Sequence, residues 1–252
     1  MTRSKRSSAR SAGSPRQAGL ATLAIDVGGS GLKAAILDED GVMLTERVRV
    51  ATPEGVAPET MVDALAALVA PLPAFDRVSI GFPGVVRGDR VITAPHFGNE
   101  PWHDFPLAEA LGRRLGDKPV RLLNDADVQG YGVIEGTGLE LVLTLGTGMG
   151  SSLFCDGRRL PHMEFAQFPF HKKKTFNRYV GNAARHKVGN AKWNRRVEKC
   201  IEAFRTLLQF DRLYLGGGNA SKLTLSLPPD VRIVANEAGL TGGIKLWQDA
   251  AP

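Results

Sequence analysis

The stretch Pro119-Val120-Arg121-Leu122-Leu123-Asn124-Asp125-Ala126-Asp127 changes character within one residue. Pro119 to Leu123 reads as an apolar β-strand, and it runs straight into two carboxylates and an amide. A carboxylate at a strand end can act as a general base toward a hydroxyl, as phosphoryl transfer requires. Asn and Asp are also favoured helix N-caps, so the same residues could simply start the next helix. The segments on either side bear on the choice.

Upstream, Ala21 to Val27 is an apolar strand, broken by Gly28-Gly29-Ser30-Gly31 and resumed from Leu32 to Leu37. Asp40-Gly41 is a hairpin signal, and a third strand follows through Val50. Met61, Leu65, Leu68 and Val69 recur at helical spacing, and Arg77 to Ile80 is a strand entering the turn Gly81-Phe82-Pro83-Gly84. Leu107, Leu111 and Leu115 mark a second helix. Downstream the pattern repeats: strand Leu139 to Leu145, turn Gly146-Thr147-Gly148-Met149-Gly150, strand Ser151 to Cys155, then Asp156-Gly157. Two such units predict a duplicated α/β architecture with a cleft between the halves. Val197, Ile201, Phe204, Leu207 and Leu208 give the apolar face of a long helix. A strand from Arg212 to Leu215 ends in Gly216-Gly217-Gly218, and Val231 to Val234 is another. Glu237 to Trp247 reads as a closing helix whose Gly239, Gly242 and Gly243 suit a close approach of ligand or backbone. The expected division is a basic tail over 1–19, a small lobe over 20–121 and a large lobe over 122–252.

At 252 residues the chain can bury a substantial core. No apolar run is long enough to cross a membrane, and the N-terminus has no apolar signal region. Cys155 and Cys200 are too few for a disulfide framework or a four-ligand zinc site, so a reducing cytoplasm is the expected location. The net charge of +6 is unevenly placed. The tail carries five basic residues and Phe165 to Val197 carries nine, neither with an acid, so the remainder is net acidic. A basic segment inside an acidic fold points to a polyanionic partner.

Glycine-rich turns between strands leave backbone N–H groups able to meet phosphate oxygens. Asp26, just before the first turn, is a candidate for holding Mg²⁺ through waters. A tight hairpin with a solvated Asp26 accounts for one turn equally well. Matching turns in both repeats and a third after Arg212 to Leu215 strengthen the phosphate reading. No Walker or dinucleotide fingerprint is present.

Four motifs together carry a resemblance: Asp26-Val27-Gly28-Gly29-Ser30-Gly31-Leu32-Lys33, Asn124-Asp125-Ala126-Asp127, Leu145-Gly146-Thr147-Gly148-Met149-Gly150-Ser151 and Leu215-Gly216-Gly217-Gly218-Asn219. The chain resembles the sugar kinases of the ROK family over about residues 20 to 248, most of all those using polyphosphate on glucose. The resemblance implies an actin-like, hexokinase-like fold of two ribonuclease H-like lobes. It also implies phosphoryl transfer from polyphosphate or ATP to the glucose 6-hydroxyl, with Mg²⁺. Carried over, Asp125 would be the general base and Asn124 a sugar-hydroxyl partner. Gly28 to Gly31, with Asp26 and Lys33, and Gly146 to Gly148 would hold donor phosphates. Gly217 and Gly218 would line the nucleoside or distal phosphate region. Pro83 and Gly84 belong to a loop like the family's sugar-side loop, and Glu164 matches the glutamate of its Glu-x-Gly-His motif. That motif here reads Glu164-Phe165-Ala166-Gln167, and Gln cannot be protonated as His can. His96 also stands where many relatives carry Asn. Some relatives regulate transcription through an N-terminal helix-turn-helix domain, which a 19-residue tail cannot contain. The resemblance is compatible with a homodimer.

The basic segment offers Lys172, Lys173, Lys174, Arg178, Lys192, Arg195 and Arg196 as a track for a phosphate polymer, which needs more cations than ATP does. A solvated helical face would look the same. Nucleic acid would feel the same charge, but no nucleic-acid module is recognisable. The expected partners are therefore a sugar and inorganic polyphosphate, with no nucleic acid or membrane. A kinase of another hexose and a catalytically weak sugar- or polyphosphate-binding protein are the rival readings.

Overall fold

A computed structural model describes residues 19–235 and 238–248. The expected basic tail lies outside them but for Gly19, and so does Glu237 at the start of the expected closing helix.

The first sheet contains β1 (Thr22–Val27), β2 (Leu32–Leu37), β3 (Val48–Val50), β4 (Arg77–Phe82) and β5 (Val120–Asn124) in the order β3-β2-β1-β4-β5. The second contains β6 (Leu139–Leu145), β7 (Met149–Cys155), β8 (Arg158–Arg159), β9 (Arg212–Gly216) and β10 (Val231–Ile233) in the order β8-β7-β6-β9-β10. The two orders are the same, offset by five strands. The first three strands of each are antiparallel and the last two join parallel. The repeat of strand, glycine turn, strand and Asp-Gly turn is thus a repeat of topology.

Alternation along the strands builds two faces. Leu23, Ile25 and Val27 pack with Met61 and Leu65 of α1 (Pro58–Val69), with Leu107 and Leu111 of α2 (Leu107–Arg114), and with Trp102. The small Ala24 and Ala35 on the other face admit the C-terminal segment, whose Leu240 and Ile244 cover them. In the second sheet Leu141, Leu143, Leu213 and Leu215 pack against α6 (Asn190–Leu208) through Trp193, Val197, Ile201 and Phe204. Leu207, expected on that apolar face, is exposed. The stripe runs through 193, 197, 200 and 204, and Leu207 falls outside it. Two shorter helices, α4 (Phe176–Val180) and α5 (Asn182–Val188), precede α6.

Between the sheets lies α3 (Asp125–Tyr131), buried from Ala126 to Gly130. Strand β5 carries the first sheet to Asn124, so a division at 121/122 cuts a strand; the first sheet ends where α3 begins. The C-terminal segment is α7 (Ala238–Thr241) followed by a 3₁₀ turn over Gly242–Trp247, where one continuous helix was expected. It packs on the first sheet as well as on α3. Gly242 lies so close to α3 that a Cβ would run into the Val128 carbonyl. Trp247 locks the end of the segment: its Nε1 donates to Ser79 Oγ at 2.8 Å, and the guanidiniums of Arg77 and Arg121 lie 5.1 and 4.7 Å from its ring centroid. Gly242→Ala should therefore cost about 1–3 kcal/mol by overpacking, whereas Lys245→Ala, on the exposed side of the same turn, should cost little. Thermal unfolding of the two variants checks this.

Candidate active site

The parallel strands bring distant residues to one level. Asp26 pairs with Gly81, and Gly81 with Leu123. The residues leaving β1, β4 and β5, namely the first glycine turn, Pro83-Gly84 and Asp125, therefore gather at the carboxyl end of the first sheet, where open α/β sheets hold ligands. In the second sheet Thr144 pairs with Gly216, so the Gly146–Gly148 and Gly217–Gly218 turns leave the same end. All of these line one cleft of about 730 Å³.

Asn124 caps α3, its Oδ1 accepting from Ala126 N at 2.8 Å. Its Nδ2 donates to Gly84 O at 3.0 Å, tying the β4 loop to the helix start. The carboxamide expected to meet a sugar hydroxyl is thus largely committed to holding the site together. Asp125 follows, half-buried, with its Oδ1 also accepting from Ala126 N at 2.8 Å. Enclosure raises its carboxyl to about 7, with the charges of Asp26 and Glu164 adding to the rise and the Ala126 N–H and His162 opposing it. A carboxylate poised near neutrality is suited to accepting a proton from a hydroxyl.

The two glycine turns close alike: Gly28 N donates to Gly31 O at 3.0 Å, and Gly146 N to Gly148 O at 2.9 Å. Gly217 must be glycine, because its φ is +84° and a side chain there would strike the Leu145 backbone. Three asparagines brace the second turn. Asn177 Oδ1 accepts from Met149 N at 2.9 Å, Asn182 N donates to Gly146 O at 3.0 Å, and Asn219 Nδ2 donates to the same carbonyl at 3.0 Å. Asp26 and Lys33 face each other across β1 and β2 and form an ion pair at 2.6 Å.

Arg47 and Arg49, flanking Val48 at the first sheet's edge, and Arg185 of α5 line the cleft alongside Lys33. None of the seven residues offered as a polymer track lines it. Lys172, Lys173 and Lys174 sit exposed at a hairpin between Pro169–His171 and Lys174–Thr175, and Arg178, Lys192 and Arg195 are exposed on helices. Arg196 lies over the Tyr179 ring, 4.8 Å from its centroid, and donates to Tyr179 O.

The model of the ROK family matches residues 22–161. The chain belongs to the ROK family. It is 30% identical over 212 residues to the polyphosphate glucokinase of Mycobacterium tuberculosis (strain CDC 1551 / Oshkosh), covering 81% of this chain and 80% of that one. It is 38% identical over 147 residues to the N-acetylmannosamine kinase of Escherichia coli O157:H7, covering 56% and 50%. The fold matches the crystal structure of the inorganic polyphosphate/ATP-glucomannokinase from Arthrobacter sp. strain KM with a TM-score of 0.82 at 28% identity, covering 91% of this chain and 99% of that one. The two-lobed architecture is thus that of the ROK sugar kinases, with the actin-like, hexokinase-like fold.

His96, Glu164 and Gln167 also line this ROK cleft. His96 packs on Gly29, and burial lowers its pKa against the opposing charge of Glu164. Sequence reading did not single out His162, whose Nε2 lies 3.1 Å from Glu164 Oε1 and whose Nδ1 lies 3.4 Å from Asp127 Oδ1. Burial disfavours its charged form, but hydrogen bonds to the two carboxylates outweigh this and hold it protonated up to about 9. Asp127, the second carboxylate of the motif, is only 1% exposed and accepts from Ser152 Oγ at 2.7 Å. It has no place in the cleft lining. Gln129, one turn after Asp125, does line the cleft; its Nε2 lies against Gly216 and is the buried side-chain nitrogen without a hydrogen-bond partner among the described residues.

Two outcomes are expected. A base at Asp125 acts only when ionised, so kcat/KM for the sugar is expected to fall as the pH drops below about 7 and to level off above it. The limb should be the same with tripolyphosphate and with ATP; a limb that moves with the donor belongs to the donor. Asp127→Asn should weaken a buried network, costing about 1–3 kcal/mol in unfolding free energy, while reducing turnover less than a change at Asp125 does.

Proposed function

We propose that this ROK-family chain transfers a phosphoryl group from inorganic polyphosphate, or from ATP as an alternative donor, to the 6-hydroxyl of glucose. The observation that carries the reading is the meeting of a near-neutral Asp125 carboxyl with two glycine turns in one cleft. In this reading Asp125 takes the proton of the hydroxyl as its oxygen bonds to phosphorus, and the bond to the departing phosphate breaks. The glycine turns, Lys33, Arg47, Arg49 and Arg185 offset charge on the donor. Asn124 holds Pro83-Gly84 against the base on the sugar side, and closure of the lobes excludes water.

Mg²⁺ fits this cleft in a limited way. No group of three or more His, Cys, Asp or Glu is preassembled for a metal among the described residues. Mg²⁺ keeps several waters and is held by one or two carboxylates plus substrate phosphates, and Asp26, with one oxygen on Lys33, suits that role. When bound, the ion would neutralise charge on the transferring group.

The polyphosphate preference draws support from the names of relatives and from the cations of the cleft and of the exposed Lys172 to Lys174 hairpin. The reacting end of the polymer would lie on the cleft arginines and its distal part over Lys172, Lys173, Lys174, Arg178, Lys192 and Arg195. Gln167 and the match to an N-acetylmannosamine kinase favour, as a second reading, an ATP-dependent kinase of another hexose.

A phosphorylation assay crossing glucose, mannose and N-acetylmannosamine with long polyphosphate and ATP separates the two. Glucose with polyphosphate should give the highest kcat/KM, and preference for an amino sugar with ATP would overturn the first reading. Neutralising Lys172, Lys173 and Lys174 together should raise KM for long polyphosphate well above any effect on ATP, and should flatten its salt dependence. Equal effects on both donors would remove the hairpin from the track.

A further inference from the structure

Glu164 reaches the cleft on a short, irregular segment, yet one of its carboxylate oxygens is not free to wander. His162 Nε2 holds Oε1 at 3.1 Å. The imidazole is itself fixed from behind, its side chain 6% exposed and its Nδ1 on Asp127. Asp127 is anchored in turn by Ser152 Oγ at 2.7 Å and approached by Arg159 at 3.5 Å. Ser151 Oγ donates to Met163 O at 3.2 Å, pinning the intervening backbone to β7. A row therefore runs from the buried interior of α3, through one imidazole, to a carboxylate at the cleft wall. Its two ring nitrogens both meet carboxylates, which only the doubly protonated ring can satisfy as a donor on both sides.

Proton transfer from the sugar needs none of this, and Asp127 and His162 do not line the cleft. The one member that does is Glu164, with its second oxygen and remaining lone pairs unclaimed by His162. A glutamate has three rotatable bonds, and fixing them before the ligand arrives removes an ordering cost from binding. We propose that His162 is a positioning residue for the sugar: seated on buried Asp127, it fixes the Glu164 carboxylate so that the free oxygen accepts from a sugar hydroxyl. The inference rests on the sugar-kinase reading of the cleft. It also gives a physical reason why the cleft tolerates Gln167, since the imidazole that steadies Glu164 comes from the residue two before it in sequence.

The test is a double-mutant cycle read by glucose dissociation constant without donor, by KM for glucose and for donor, and by thermal unfolding. His162→Ala should weaken glucose about tenfold, the scale of a hydrogen bond to a charged group, with donor KM within about twofold of the parent. His162→Gln, which keeps an amide N–H to offer Glu164, should recover part of the loss. In a Glu164→Ala background, adding His162→Ala should change glucose binding by less than about twofold, because the residue acts through Glu164. Glucose constants unchanged in folded His162 variants, or losses that multiply with Glu164→Ala, would overturn the proposal. If His162→Ala does not fold, His162→Gln with Glu164→Ala completes the same cycle. A parent chain that phosphorylates no sugar with any donor counts against the proposed function; a parent active on glucose, matched by its His162 variants, counts against His162 alone.

Discussion

The side-chain amide of Asn124 is the tie on which the cleft depends. Its oxygen starts α3 and its nitrogen holds the loop after β4, so a strand end, a helix start and the glycine–proline loop share one fixed geometry. Asp125 is the next residue, and its position follows from that of Asn124. The helix it opens is buried between two sheets of the same strand order, with Gly242 admitting the C-terminal segment against its Val128 carbonyl. Each lobe thus contributes a glycine turn at a strand end, and α3 fixes the carboxylate between them.

This geometry has an electrostatic cost. Asp125 is enclosed and shares the cleft with Asp26 and Glu164, so its ionised form is disfavoured and its carboxyl rises to about 7. A carboxyl whose pKa is higher in the folded than in the unfolded chain detracts from stability once the pH exceeds the unfolded value, and the loss is complete above the folded one. At pH 8 the fold therefore carries an unfavourable charge at the position proposed as the base. Lys33 on Asp26 and His162 between Asp127 and Glu164 limit the accumulated negative charge. Arg47, Arg49 and Arg185 bring positive charge to the lining of the same cleft.

Much of this was legible in the sequence, for identifiable reasons. Strand–glycine–strand–Asp-Gly units have a strong local signature, so the duplicated lobes and the positions of Gly28 to Gly31 and Gly146 to Gly148 could be read directly. Asp125 stood out because a strand ends abruptly in carboxylates. What escaped depends on tertiary approach. Arg47 and Arg49 lie beside and in an ordinary-looking edge strand, and only the fold brings them to the same cleft as Arg185. His162 stands just outside the motif that begins at Glu164, and its meaning arises from Asp127, thirty-five residues earlier in sequence, coming within reach. The charge run of Lys172 to Arg196 was plain to see, but charge in sequence does not say which surface it covers. The C-terminal segment departs from one continuous helix where Gly242 and Gly243 pack against α3 and Ser79 and the last turn is 3₁₀.

The central claim is that Asp125 is the base, and its most direct test is the turnover of Asp125→Asn beside its stability and glucose affinity. Asparagine keeps the shape and an oxygen for the Ala126 N–H while removing the charge. Turnover should fall by about 10²–10⁴-fold or more, with glucose binding little changed and, at pH 8, a melting temperature equal to or above that of the parent. Turnover within about threefold of the parent in a folded, glucose-binding variant would contradict the assignment.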